Sequence, residues 1–264
     1  MQQAPPFVDI HCHLVPEIDD GARSWEDTLA MAQMAVADGI ETIIVTPHQL
    51  GAFGYNSGDA IRAAASQVQE FLAANHVPLR VLPGADVRIE ADLVALVKRG
   101  RVVSLADKKR HVLLELPHEL YVPLERLLAE LRAAGMTGIL SHPERNQGIL
   151  SDPSVLRPLV DAGCLMQVTA GSLLGAFGPQ IQKFSEWLIE QQLVHFLATD
   201  AHGPKSRRPL LRQAFERAVQ LASWERAVAM CSDNPACVAE GRALPMKPAR
   251  ERAWGGWFGM RKAG

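Results

Sequence analysis

The sequence predicts an α/β protein in which a parallel sheet, curled towards a barrel, is wrapped by helices. Three observations carry this. Short β-rich runs alternate with longer stretches of helical period through the body of the chain. The runs are nearly continuous in apolar residues, as strands buried on both faces are. Side chains able to bind metal ions follow one run after another, and in parallel α/β folds the C-terminal strand ends share one face, where active sites sit.

Taken in order, the strands are expected at 7–10, 42–46, 80–83, 112–116, 138–141, 165–169 and 194–199. Between the first two, Ser24 is placed to cap a helix, with Asp27 three residues on, and Leu29, Ala32, Ala35 and Val36 lead towards Gly39, a natural stop. A second helix is expected over 58–75, with Ile61, Ala65, Val68 and Leu72 in register, and a third over 121–134, with Leu124, Leu127, Leu128 and Leu131 on one face. No break in composition divides residues 1–241, which read as one domain. Seven strand–helix units favour a barrel over an open sheet.

Composition narrows the function. The chain has 264 residues, 48% hydrophobic and 21% charged, with a net charge of −2, so it resembles neither a disordered chain nor a bulk nucleic-acid binder. No apolar run approaches the ~18 residues of a membrane span. The N-terminus lacks the basic-then-apolar layout of a secretory signal, and four cysteines at no paired spacing do not form a disulfide framework. A reduced, cytoplasmic protein is expected. Charge is uneven: residues 242–264 carry six basic side chains against Glu251, with Trp254, Trp257 and Phe258 among them. This basic, aromatic-containing tail is expected to be flexible. Either it is a solvated extension or it meets anionic lipid or an acidic, membrane-associated partner.

The polar residues cluster where the strands end. His11, His13 and Asp20 follow the first, His48 the second and Asp86 the third. Glu115 ends the fourth, His142 follows the fifth, and Asp200 and His202 close the seventh. Residues i and i+2 of an extended segment point the same way. His11 and His13 can therefore share an ion while Cys12 faces elsewhere, and Asp200 and His202 repeat the device. Imidazole mixed with carboxylate suits Zn, Fe or Mn, and bridging carboxylates allow several ions close together. A single His-x-His is weak evidence; five of nine histidines and four carboxylates at successive strand ends are not. His76, His111, His118 and His195 read as structural or solvated.

Two arginines adjoin this set. Arg145 follows His142, and Arg207 follows His202. Metal ions ringed by guanidinium groups suit a phosphate ester, whose non-bridging oxygens arginine binds bidentately. A cysteine-dependent phosphatase would need Arg six residues after the nucleophile. Ile18, Ala170, Cys237 and Ala243 stand at those positions, so that chemistry is excluded. The segment Gly51-Ala-Phe-Gly-Tyr-Asn56 after His48 is either a plain Gly-rich loop or an aromatic flap over the rim.

The segments Asp9-Ile-His-Cys-His-Leu-Val-Pro-Glu-Ile-Asp-Asp-Gly21, Thr46-Pro-His48, Leu113-Leu-Glu-Leu-Pro117, Ser141-His-Pro-Glu-Arg-Asn146, Val168-Thr-Ala-Gly-Ser172 and Ala198-Thr-Asp-Ala-His202 resemble successive motifs of one family. This is the manganese-dependent protein-tyrosine phosphatases of the bacterial PHP (polymerase and histidinol phosphatase) superfamily, encoded with capsule and exopolysaccharide genes. The resemblance implies a distorted (β/α)7 TIM-like barrel holding three divalent metal ions, Mn²⁺ foremost, with Fe, Zn or Mg as alternatives. It assigns His11, His13 and Asp200 to a first ion, with Asp86 bridging to a second that Glu115 and His142 complete. Asp20, His48 and His202 take the third. Arg145 and Arg207 match the family's phosphate-binding, catalytic arginines. The implied substrate is a phosphotyrosine protein, a membrane-associated bacterial tyrosine autokinase controlling polysaccharide synthesis and export.

Two departures stand out. Gly84-Ala-Asp-Val-Arg88 carries Asp86 where the family usually has Glu, and Gly203-Pro-Lys replaces a frequent Asn, which leaves the register to Arg207 rather than Arg208 open. Competing readings are a small-molecule phosphatase of the superfamily, such as a histidinol-phosphate phosphatase, a phosphodiester nuclease, and a non-catalytic scaffold of an export complex. Oligomeric state is not legible.

Overall fold

Among the described residues nine parallel strands carry the chain around its centre, two more than the apolar runs predict. They are β1 (Phe7–Cys12), β2 (Ile40–Val45), β3 (His48–Gln49), β4 (Arg80–Pro83), β5 (Asp86–Arg88), β6 (His111–Glu115), β7 (Thr137–Ser141), β8 (Leu165–Thr169) and β9 (Phe196–Ala198). The computed structural model describes residues 3–245. The tail expected at 242–264 lies outside the described residues from 246 onwards.

The strands form two sheets, β1-β2-β4 and β3-β5-β6-β7-β8-β9. The unpredicted β3 and β5 are continuations of β2 and β4, bent away after Val45 and Pro83 to pair in the second sheet. Pro47 at the first bend has no N–H to donate, while its carbonyl accepts from Asp86 N at 3.2 Å. At the second bend a Cβ on Gly84 would fall 2.7 Å from Ile44 Cγ2, so only glycine lets the strands pass so closely. Along the opposite seam His13 N donates to Ala201 O (2.9 Å) and Asp200 N to His11 O (2.7 Å). The seven strand segments thereby form a ring in the order β1, β2/β3, β4/β5, β6, β7, β8, β9.

One face of each segment fills this ring. Ile10, Ile44, Leu113, Ile139, Leu165, Phe196 and Ala198 are buried in one cluster with Leu105, Ala106, Val238 and Ala239. Each large side chain so buried contributes roughly 1.5–3 kcal/mol. Because side chains on a strand repeat every two residues, the next inward positions after Leu113, Leu165 and Ala198 are Glu115, Gln167 and Asp200. The apolar plug therefore dictates a polar layer above it.

Helices α1 (Trp25–Asp38), α2 (Gly58–Ala74), α3 (Leu93–Lys98), α4 (Glu125–Ala133), α5 (Gln147–Ser151), α6 (Leu156–Asp161), α7 (Ala170–Leu173), α8 (Pro179–Glu190), α9 (Arg212–Leu221), α10 (Trp224–Val228) and α11 (Asn234–Glu240) cover the ring. As expected, Ser24 accepts from Asp27 N to start α1, which stops at Gly39 in the left-handed conformation. The third predicted helix starts four residues late, at Glu125 rather than 121. Pro123 disfavours a helical residue before it, and the 117–120 segment is held to Asn146, whose Nδ2 donates to Pro117 O and Leu120 O. No helix among the described residues is long and apolar enough to cross a membrane.

Candidate metal centre

The nine predicted donors meet at one mouth, above the apolar plug. The β1 end carries an irregularity in its pairing between Asp9 and Cys12. It lets His11 and His13 face the centre, with Nε2 atoms 3.2 Å apart, while Cys12 packs into the outer core. Asp9 anchors this bend: its carboxylate accepts from His11 N, Thr199 N and Thr199 Oγ1, tying β1 to the segment after β9.

Around this pair the distances are short. Asp200 Oδ1 lies 3.3 Å from His11 Nε2 and 3.5 Å from His13 Nε2. Asp86 Oδ2 lies 3.6 Å from His11 Nε2, 3.6 Å from His48 Nδ1 and 3.8 Å from His142 Nε2. Glu115 Oε2 is 3.6 Å from His48 Nδ1. Asp20 Oδ1 lies 3.5 Å from His48 Nε2 and 3.4 Å from His202 Nε2. Four overlapping groups result: His13-Asp20-His48-His202, His11-His142-Asp200, His11-His13-Asp86 and His48-Asp86-Glu115. Asp20, His48 and His202 keep the company the resemblance assigns them. Glu115, however, is grouped with His48 and Asp86, whereas His142 joins His11 and Asp200.

Several of these residues hold unusual backbone. His142 (φ 34°), Asp200 (φ 50°) and Arg207 (φ 49°) lie in the left-handed region, at a cost of order 1–3 kcal/mol each. Such strain persists where surrounding structure imposes it, and here it accompanies the turn of the chain towards the mouth after β7 and after β9.

The imidazoles are oriented from behind by groups that the strand-end pattern does not single out. His11 Nδ1 donates to Gln167 Oε1 (2.8 Å), His13 Nδ1 to Asp19 Oδ2 (2.7 Å) and His202 Nδ1 to the Asp200 carbonyl (3.0 Å). Occupying Nδ1 this way leaves each Nε2 lone pair directed at the centre, the arrangement metal-binding histidines require. Asp19 also accepts from the backbone N–H groups of Gly21 and His48. A signal for Gln167 existed: it is a polar residue at an inward position of an apolar strand. Asp19 could not be told from Asp20, because the turn that aims one inwards is not encoded by spacing.

The site's electrostatics call for cations. Asp86 is fully buried, and neither carboxylate oxygen has a hydrogen-bond partner, an arrangement that is costly without compensating positive charge. Burial raises its pKa, but the imidazoles of His11, His142 and His48 outweigh this and hold the carboxyl well below its usual range. Burial, aided by the Asp86 charge, pushes Glu115 up to about 8. Burial also drives His11 down to about 3, against the pull of Asp200 and Asp86. Burial holds His13 down too, but the carboxylates of Asp19 and Asp200 outweigh it and lift that imidazole to about 10, a further mark of crowded negative charge. Imidazoles and closely spaced carboxylates form a donor set that fits divalent first-row metals.

Both predicted arginines arrive. Arg145 Nη2 and Arg207 Nη2 lie 2.5 and 2.6 Å from Asp200 Oδ2, while Arg208 is exposed. Their guanidinium carbons stand 4.9 and 6.0 Å from the centroid of the Phe177 ring, a residue the strand-end pattern does not reach. On the 51–56 loop, Phe53 stacks on His48 with ring centroids 5.2 Å apart and planes at 23°. Buried Asn56 pins the loop by donating to the Ile18 and His48 carbonyls. Of the other histidines, His111 is buried, His195 is half-buried, and His76 and His118 are exposed.

Known proteins share this architecture. The family described as "Capsular polysaccharide synthesis, CpsB/CapC" matches residues 7–240. Tyrosine-protein phosphatase YwqE of Bacillus subtilis is 42% identical over 203 residues, 76% of this chain and 79% of that protein. Tyrosine-protein phosphatase CpsB of Streptococcus pneumoniae is 26% identical over 235 residues, 87% of this chain and 96% of that protein. A crystal structure from work on YwqE and CpsB, described there as unique metal-dependent tyrosine phosphatases, superposes with a TM-score of 0.87 at 36% identity, covering 94% of this chain and 100% of the other. With the match spanning every strand and every donor of the mouth, the chain belongs to the CpsB/CapC family of capsular polysaccharide synthesis.

Proposed function

We propose that this chain is a metal-dependent protein-tyrosine phosphatase acting on a bacterial tyrosine kinase that governs capsular or exopolysaccharide synthesis and export. The observation that carries the reading is the buried, partnerless Asp86 carboxylate, ringed by His11, His48 and His142 beside two convergent arginines. The names of the relatives support the phosphotyrosine substrate.

His11, His13, Asp20, His48, Asp86, Glu115, His142, Asp200 and His202 would hold three divalent ions, Mn²⁺ by preference. Such ions neutralise phosphoryl charge and acidify water towards neutral pH. The rest falls to the chain's own residues. Arg145 and Arg207 bind the non-bridging oxygens of the phosphate, giving up Asp200 Oδ2 for oxygens of like charge. Phe177 covers their flank and excludes water, which strengthens both contacts. Gln167 and Asp19 keep the Nδ1 protons of His11 and His13, so those rings neither turn nor change tautomer during turnover. A tyrosine leaving group, with a pKa of ≈ 10, needs less protonation than a serine alkoxide. Burial pushes the Cys12 thiol well above its usual range and Cys164 up to about 12, so neither offers a thiolate.

The test is turnover of phosphotyrosine and phosphoserine peptides after chelation and stepwise return of Mn²⁺, Fe²⁺, Zn²⁺ or Mg²⁺. Chelation is expected to abolish turnover, Mn²⁺ to restore it best, and phosphotyrosine to be preferred. Undiminished turnover in chelator, or labelled phosphoenzyme after acid quench, defeats the scheme.

A further inference from the structure

Two rim loops contain the same tetrapeptide: Gly51-Ala-Phe-Gly54 after β3 and Gly175-Ala-Phe-Gly178 after β8. Each is closed by the same bond, Gly54 N to Gly51 O (3.3 Å) and Gly178 N to Gly175 O (3.0 Å). Left-handed glycines make the turns possible, with Gly51 at φ 55°, Gly175 at φ 84° and Gly178 at φ 94°. Each turn lays its phenylalanine on the site: Phe53 on His48, Phe177 beside Arg145 and Arg207.

Outside these rings lies a second layer. Among the described residues the exposed large hydrophobic side chains are Tyr55 (71%), Leu120 (65%), Val122 (40%) and Leu174 (39%). All four sit on loops leaving C-terminal strand ends, after β3, β6 and β8, which are the second, fourth and sixth segments of the ring. They therefore surround the mouth instead of forming a patch on one side. Residues 49–58 and 170–182 contain no charged side chain, although charge is plentiful elsewhere on the rim. The β6 loop is firmly seated, through Asn146 Nδ2 and through Gln147 N donating to His118 O. Apolar side chains ringing a functional mouth mark a contact surface.

We propose that this apolar collar docks the polypeptide flanking the phosphotyrosine of a protein substrate, and that it selects segments with apolar or aromatic side chains on either side of that residue. The occupant follows from position: a tyrosine whose phosphate reaches Arg145 and Arg207 lays its chain neighbours across Tyr55, Leu120, Val122 and Leu174. The inference rests on the phosphatase reading and adds the class of sequence that the site accepts.

The experiment compares p-nitrophenyl phosphate with two phosphotyrosine peptides, one flanked by Leu and Tyr, the other by Ser and Gly. The enzymes are the Mn²⁺-loaded wild type and the variants Tyr55→Ser, Leu174→Ser and Leu120→Ser/Val122→Ser, all altered at exposed positions away from the donors. The wild type is expected to favour the apolar peptide, and each variant to lose about tenfold in kcat/KM on it with p-nitrophenyl phosphate turnover unchanged. Equal turnover of the two peptides by the wild type, or equal losses on all three substrates, overturns the proposal. So does sedimentation showing a self-association that the substitutions abolish, which would assign the collar to a second copy of the chain. Brisk hydrolysis of p-nitrophenyl phosphate without peptide preference sinks the collar and leaves the metal chemistry standing. No hydrolysis of any of the three ends both.

Discussion

His13 donates from Nδ1 to the buried carboxylate of Asp19 at 2.7 Å, and the same carboxylate accepts from the backbone N–H of His48 at 3.0 Å. One side chain thus fixes two donors that belong to different strands. Removing such a support typically costs ten- to a hundredfold in metal affinity or activity. Asp19→Ala is expected to raise the metal concentration needed for half-maximal activity by about that factor, with much of the rate recovered in excess metal. Asp19→Asn retains an acceptor for the backbone N–H groups and is expected to fall in between. A metal titration after chelation checks this; an unshifted midpoint in Asp19→Ala contradicts it.

Asp86 occupies a different position, facing three imidazoles with both oxygens free of hydrogen bonds. Asp86→Asn keeps its shape and removes its charge. Activity at saturating metal is expected to drop about a hundredfold or more, and elemental analysis is expected to find fewer ions per chain. Asp86→Glu restores the side chain usual in the resembling family but inserts a methylene into a fully buried site. Overpacking of that kind costs about 1–3 kcal/mol, so this variant should bind metal yet melt at lower temperature. Full metal content in Asp86→Asn would falsify the bridging role.

Much of this was legible before the fold was known, because strand ends and donors coincide. Ile10, Leu113, Leu165 and Ala198 announce buried strands, and the polar residue just beyond each stands out against them. What escaped has a physical pattern. β3 and β5 span two and three residues, too few for any period, and their existence depends on partners recruited after the bends at Pro47 and Gly84. Gln167, Asp19 and Phe177 act on other side chains rather than on a ligand, and such relationships are set by tertiary placement. The late start of α4 reflects Pro123 and the anchoring of the preceding segment by Asn146, a residue that follows it by more than twenty positions.

Arg145 and Arg207 share Asp200 Oδ2 and the Phe177 ring, so neither is independent of the other. Each single change to Lys keeps charge and loses the planar fork. A loss of about a hundredfold in kcat/KM is expected for either, and the double variant is expected to lose less than the product of the two, because coupled residues are not additive. Weakened inhibition by inorganic phosphate should accompany both. Strict additivity in this double-mutant cycle counts against a shared phosphate site.

Away from the mouth, His195 Nδ1 accepts from Met166 N at 3.1 Å, and His195 N donates back to Met166 O at 3.0 Å, joining the approach to β9 with β8. An acceptor must be unprotonated, and burial, with some help from the Arg226 charge, lowers this imidazole from 6.5 to about 4. Between those pH values the unfolded chain binds a proton that the folded chain refuses, so stability rises with pH in that window. The contribution is complete above 6.5 and lost progressively as pH falls towards 4. It is on the order of 2 kcal/mol, the ring's partly exposed edge screening some of the full shift. His195→Asn places an amide oxygen where Nδ1 stood, preserving an acceptor that cannot be protonated. Urea unfolding of both proteins, stripped of metal so that the mouth titrates alike in each, is the measurement. At pH 8 the wild type is expected to be the more stable, through better packing. As the pH drops to 5 its advantage is expected to shrink by a kcal/mol or more. Parallel stability curves across that range would remove His195 as the source of the acid sensitivity.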